Sequence, residues 1–253
     1  MQTPMKPPFR FDPRAPARRR PARRHRGVTM VEFAIISPLA LLLVLGIVQL
    51  GLMFVAREVV DEAAFVAARA GAVNNAQVDA MRSALQRALI PFYQDTTTTN
   101  DTARIGAALG RSLADTLIPC SSTIPFPCAL EVTRLNPSDQ AFDDFGLTDA
   151  QNHTYIPNDS LDYRPHSVQG ASSGLSIQDA NVLKIKVTYG YPLKVPLMAA
   201  TFNTIMCLAP QGIGAFGHTA FMGTAGDCIR FYKQGRVPIV AYATVQMQTP
   251  AWK

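Results

Sequence analysis

A glycine and a glutamate carry the clearest chemistry in this chain. Glu32 stands five residues after Gly27, at the head of a run from Phe33 to Ala56 that holds 24 residues and no charge. An acid inside an apolar run is costly, about 2.5 to 3.5 kcal/mol at the centre of a bilayer. Hydrolysis of the Gly27–Val28 peptide bond would offset that cost. It would create an amino-terminal cation at Val28, about one helical turn from Glu32. In an assembly of helices, Glu32 of one copy could then meet the amine of the next, a charge pair that both groups need once they leave water.

Other residue types suggest other chemistries, and most of these fail on spacing. Cys120, Cys128, Cys207 and Cys228 all follow the apolar run. An even number confined to one side suits an oxidising compartment. Sequence proximity favours the pairs Cys120–Cys128 and Cys207–Cys228, although four cysteines allow three connectivities. No C-x2-C spacing supports zinc, and His218 stands alone. Gly212-Ile-Gly-Ala-Phe-Gly217 reproduces the dinucleotide-binding string. However, Pro210 precedes it, and the string lacks the strand-turn-helix context that would make it bind. Asp139, Asp143, Asp144 and Asp149 could attract calcium but do not form an EF-hand loop, so a solvated acidic loop is the preferred reading. His153, His166 and His218 are isolated. No Gly-x-Ser-x-Gly, His-Glu-x-x-His or Walker string is present. The expectation is therefore a protein that is not an enzyme, with no metal and no cofactor.

The elements that would position Gly27 and Glu32 follow from charge and periodicity. The net charge of +6 and the pI of 9.3 first suggest a nucleic-acid binder. Partition of the charge removes that reading. Residues 1–27 hold nine Lys/Arg against one acid, whereas from Arg57 onward 15 Lys/Arg face 16 Asp/Glu. The basic excess belongs to a Pro- and Arg-rich leader, expected to be disordered. Short Lys/Arg-rich flanks stay cytoplasmic, which predicts N-in, C-out insertion. The 24-residue run spans roughly 36 Å as a helix, enough to cross a bilayer with some tilt. Pro38, Gly46 and Gly51 are tolerated in such a setting, and Gln49 would find its partner in a helix–helix contact.

Four regions result: a leader (1–27), a transmembrane helix (28–56), amphipathic helices (57–119) and an outward α+β domain (120–253). The amphipathic stripe begins with Val59, Ala63, Val66, Ala70 and Val73. A second helix carries Val78, Met81, Leu85 and Leu89 up to Pro91. A third has Asp101 as its cap and Ile105, Leu109, Leu113 and Leu117 on one face. Ala129–Arg134 reads as a strand, and residues 135–181 as a long surface excursion. Val182–Tyr189 alternates, with Leu183, Ile185, Val187 and Tyr189 inward. Val237–Met247 alternates too and should lie beside it. Leu197–Cys207 fits a short helix.

The block Gly27-Val-Thr-Met-Val-Glu32-Phe33 resembles a type IV prepilin cleavage motif. With Pro38 and the later Asp61-Glu-Ala-Ala-Phe-Val-Ala-Ala-Arg69-Ala-Gly71, the stretch 27–73 resembles the TadE-like pseudopilins of tight-adherence (Flp) pilus systems. Phe33 follows the TadE pattern rather than the Tyr of many major pilins. Gln49 departs from it, standing where an acid is common. The resemblance implies cleavage after Gly27 by a prepilin peptidase, with Glu32 and Phe33 as assembly and register residues. It also implies an inner-membrane location with a periplasmic domain, and other pilins and pilus-assembly proteins as partners. No nucleic acid is expected. The rival expectation is an unprocessed single-pass binding or sensory module, which would keep its leader. An envelope enzyme would need a converging polar site that the sequence does not offer.

Overall fold

In the computed structural model the first described element is a 44-residue helix, α1 (Met30–Val73). The structure describes residues 30–95, 97, 100–116, 129–208 and 230–253, with the side chains of 206–208 set aside. The chain divides into two units, Met1–Leu41 and Leu42–Lys253. In the first, the described residues form the opening turns of α1, with Ser37 half-buried and every other side chain exposed. In the second, the rest of α1 joins an α+β fold with one hydrophobic core.

The core side of α1 is small. Val60, Ala63, Ala64, Ala67, Ala68 and Ala72 are fully buried, whereas Val66 and Val73 are 38% and 48% exposed. The sequence periodicity therefore put the buried stripe one residue out of phase. The physical reason is close packing. A Cβ on Gly71 would stand 2.6 Å from Met81 Sδ and 2.9 Å from Leu183 Cδ2, so this position has room only for glycine where α2 and the sheet press against the helix.

The helix ends where Asn75 and Ala76 adopt left-handed backbone angles (φ 54° and 57°). Asparagine tolerates that region better than most residues. The carboxy-terminal tail then bonds to the helix end and satisfies the carbonyl of Ala72. Gln248 and Thr249 donate their N–H groups to Ala72 O at 3.0 and 3.2 Å, and Asn75 Nδ2 donates to Pro250 O at 2.8 Å. A helix end left without such partners would carry unpaired acceptors.

α2 (Val78–Ala88) buries Met81, Ala84 and Leu85, close to the expected face. α3 (Asp101–Thr116) differs from expectation in two ways. Its cap is Asn100, whose Oδ1 accepts from Thr102 N at 3.1 Å, rather than Asp101. Its buried residues are Ala108, Ser112 and Thr116, while Ile105 and Leu113 face outward. Hydrogen bonds select that face: Gln86 Nε2 donates to Thr116 Oγ1 at 2.8 Å and Ser112 Oγ to Gln86 O at 3.2 Å. Leu117 lies outside the described residues.

Three antiparallel strands form the main sheet in the order β1 (Leu130–Asn136), β4 (Val182–Pro192), β5 (Arg236–Gln246). Val187 pairs with Val132 on one side and Ala241 on the other. Leu183, Ile185, Val187 and Tyr189 are all buried, as the period-two pattern requires.

The stretch 135–181 is not the irregular excursion that its composition suggests. It holds α4 (Asp139–Phe145), β2 (Leu147–Thr148), β3 (Thr154–Ile156) and α5 (Ile177–Ala180). β3 also pairs with β6 (Ala251–Trp252), completing a second small sheet. Polar residues organise this region. Ser176 and Asp179 form a reciprocal capping box. Asp144 binds the 172–173 turn through the N–H groups of Ser172 and Ser173 at 3.0 and 2.7 Å. These contacts supply the order that apolar periodicity does not reveal. α6 (Met198–Leu208) forms where a short helix was expected.

Candidate functional site

The first turns of α1 present Glu32, Phe33, Ile36 and Leu39 outward, with Phe33 66% and Leu39 70% exposed. Pro38 sits inside the helix, which continues through it. Gly27 and Val28 lie outside the described residues. The helix is long and apolar enough to cross a membrane, with a mean hydropathy of 2.6 over its most apolar stretch.

Past Leu42, the folded domain begins to cover one side of α1 at Gln49. This residue is fully buried, and its Oε1 accepts the N–H of Val195 at 3.0 Å. The helix–helix contact expected for Gln49 is thus replaced by a bond from the same chain, which sequence separation hides. Its Nε2 has no hydrogen-bond partner among the described residues. Met53 and Ala56 continue the covered side, whereas Leu50, Phe54 and Val55 stay exposed. A cavity of about 320 Å³ opens between α1 and β5, lined by Leu50, Met53, Phe54, Arg57, Ile239 and Val240. Its wall is mostly apolar, with Arg57 and Glu58 as its charged members.

Farther along, a polar cluster joins the helical pair α2–α3 to the sheet. Asp115 receives the guanidinium of Arg236 and, at 2.7 Å, the hydroxyl of Tyr93. Tyr189 Oη donates to Tyr93 Oη at 3.1 Å, and Phe92 stacks on Tyr189 with ring centres 5.6 Å apart. Burial pushes the Tyr189 hydroxyl up to about 12. Tyr93 is raised further, by burial first and then by its acidic and phenolic neighbours. Every group has its partner inside the cluster, so the arrangement fastens elements together. These residues are far apart in sequence, and no local pattern announces them.

Three of the four acids read as a solvated loop, Asp143, Asp144 and Asp149, each have a separate partner. Asp143 pairs with Lys253 at 3.2 Å. Asp144 holds the serine turn, whose hydrogen bonds keep its carboxyl below the usual range. Asp149 accepts from Gln151 N and His153 N, which lowers it likewise. No group of three metal-binding side chains occurs among the described residues. Cys120, Cys128 and Cys228 lie outside the described residues, as does the Cys207 side chain, and so do the two proposed disulfides. His218 and the Gly212–Gly217 string fall outside them too.

These features support a membrane-anchored protein: among the described residues, one long helix, apolar and outward-facing at its start, whose later turns are built into an α+β domain. Residues 27–69 match the family described as TadE-like protein, in agreement with the resemblance carried by Gly27, Glu32, Phe33 and the alanine-rich block. No curated protein and no solved structure matches the chain.

Proposed function

We propose that this protein is a minor pseudopilin that acts in assembly of a Flp (tight-adherence) type IV pilus or a related secretion apparatus. The observation that carries this reading is the family match over residues 27–69, which ends within α1. In the proposed mechanism a prepilin peptidase cuts after Gly27 on the cytoplasmic side of the inner membrane. The helix from Val28 then moves from lipid into a bundle with other pilins, and the domain follows on the periplasmic side. Glu32 sets the axial register through the amine of a neighbouring copy, while Phe33, Ile36 and Leu39 exchange lipid for protein contacts. The function is packing, not catalysis. Two facts support it: the early apolar side chains of α1 are exposed, and its later alanines are committed to the core.

Mass spectrometry of protein extracted from membranes with an active peptidase tests the first step. The expected amino-terminal residue is Val28, and a chain that keeps residues 1–27 overturns the processing. The Glu32→Ala variant should insert and fold but fail to enter assemblies. Normal piliation in that variant removes the register role.

A further inference from the structure

We propose that α6 and the loop before it form a second membrane contact, an interfacial helix that seats the domain on the outer surface of the bilayer beside α1. The inference goes beyond pilus assembly and rests on α1 crossing the membrane.

Depth is the first argument. The Val195 N–H bond to Gln49 fixes the entrance to α6 at a point inside the charge-free run. Arg57, the first charge after Gln49, lies eight residues farther on, roughly 12 Å along the helix axis. On the uncovered side of α1, Leu50, Phe54 and Val55 keep an apolar surface up to that level. The start of α6 is therefore held at a depth where α1 itself is built for lipid.

Composition is the second. Met198–Leu208 contains no charged residue. Met198 is buried and Phe202 packs against the core, while Pro196, Leu197, Ala200, Thr204 and Ile205 face outward. Leu197 is 64% and Ile205 48% exposed. The hydroxyls do not need water. Thr201 Oγ1 donates to Leu197 O at 3.0 Å and Thr204 Oγ1 to Ala200 O at 2.8 Å. Back-bonding of this kind lets threonine sit in an apolar medium.

Flanking charge is the third. Lys194 and Lys233 are exposed on two segments joined by the Leu193 N–H bond to Gly235 O at 2.9 Å. Ala199 lies beside Gly235, so that a Cβ there would stand 3.3 Å away. Lysines at the rim of an apolar surface extend their amines to the headgroups and lay their stems along the apolar part. An uncharged helix whose two described threonines bond back to its own carbonyls, rimmed by lysine at membrane depth, fits a lipid surface better than a protein partner.

Depth-resolved tryptophan quenching tests the proposal on the full chain in vesicles of phosphatidylethanolamine and phosphatidylglycerol. Trp252 is the sole tryptophan, so a Trp252→Phe background takes one new tryptophan at a time, as Leu39→Trp, Leu197→Trp or Tyr163→Trp. Tyr163 is 92% exposed and sits on the loop after β3. Lipids brominated deep in the acyl chain should quench the Leu39 probe. Lipids brominated near the headgroup should quench the Leu197 probe, and neither should affect the Tyr163 probe. A Leu197 probe as insensitive as the Tyr163 one overturns the interfacial helix, including the case where its emission is blue-shifted by a covering protein. If the Leu39 probe is also unquenched, the membrane span itself fails.

Discussion

At Gly71 a single hydrogen atom in place of a side chain decides how closely three elements meet. A Cβ there would contact Met81 on α2 and Leu183 on β4 at distances that real Cβ atoms do not show. Met81 is flexible enough to yield, but Leu183 is fully buried in the sheet and is not. Gly46 and Gly51 provide the comparison, since nothing lies within 4 Å of a Cβ at either. Gly71→Leu should destabilise the domain by about 1 to 3 kcal/mol, the usual cost of overpacking a filled core. Gly51→Leu should leave the stability within about 0.5 kcal/mol, as expected for a site away from packing. Denaturant melts of both variants in detergent, compared through their midpoints, check the contrast. Equal midpoints would mean that the close approach of α1 to the sheet does not hold.

Among the elements, the strands and α1 were legible because one chemical pattern governs each. β4 and β5 alternate, with one face of each buried, and 24 uncharged residues in a row have few destinations other than lipid. The face of α1 was misread because close packing, not hydrophobicity, chose alanine over valine. α3 was misread because hydrogen bonds to Gln86 outweighed its leucines. The 135–181 region was missed because caps and turn anchors such as Ser176 and Asp144 leave no periodicity. The Tyr93–Asp115–Arg236 fastening, which ties α3 to β5, is equally invisible locally, and its chemistry gives a pH test. Tyr189 is raised from 10.0 to about 12 and Tyr93 is raised too. The folded state therefore holds these protons more tightly than the unfolded state. This contribution is fully present below pH 10 and is lost as pH rises through the folded values. Stability should fall from about pH 10 upward, and Tyr93→Phe should flatten that fall. Denaturation midpoints taken across the alkaline range check it; an unchanged slope in the variant would remove Tyr93 as a source.

On the scale of the whole molecule, α1 serves two solvents with one continuous helix, and this dictates where the chain can be cut. Ordinarily a soluble domain is obtained by removing the membrane segment, and the sequence suggests doing so after Ala56. The core argues for an earlier boundary. Gln49, Met53 and Ala56 are already covered by the domain, and Val60 through Ala72 supply its small-residue floor. A fragment starting at Gln49 keeps every buried residue of α1 and should unfold in one cooperative transition. A fragment starting at Arg57 loses the Gln49–Val195 bond and three buried side chains, those of Gln49, Met53 and Ala56, and should melt at lower temperature while keeping its fold. A fragment starting at Asn74 removes the whole floor beneath Met81 and Leu183. It also strips the carboxy-terminal tail of Ala72 O, the acceptor for Gln248 and Thr249. Exposing that much apolar surface removes more than the few kcal/mol by which a domain is normally stable, so this fragment should show no cooperative melt and no near-ultraviolet circular dichroism. The order Gln49, Arg57, Asn74 in thermal stability is the expected result. A cooperative melt from the Asn74 fragment would mean that α1 is only an anchor, whereas its absence makes the same helix both anchor and core.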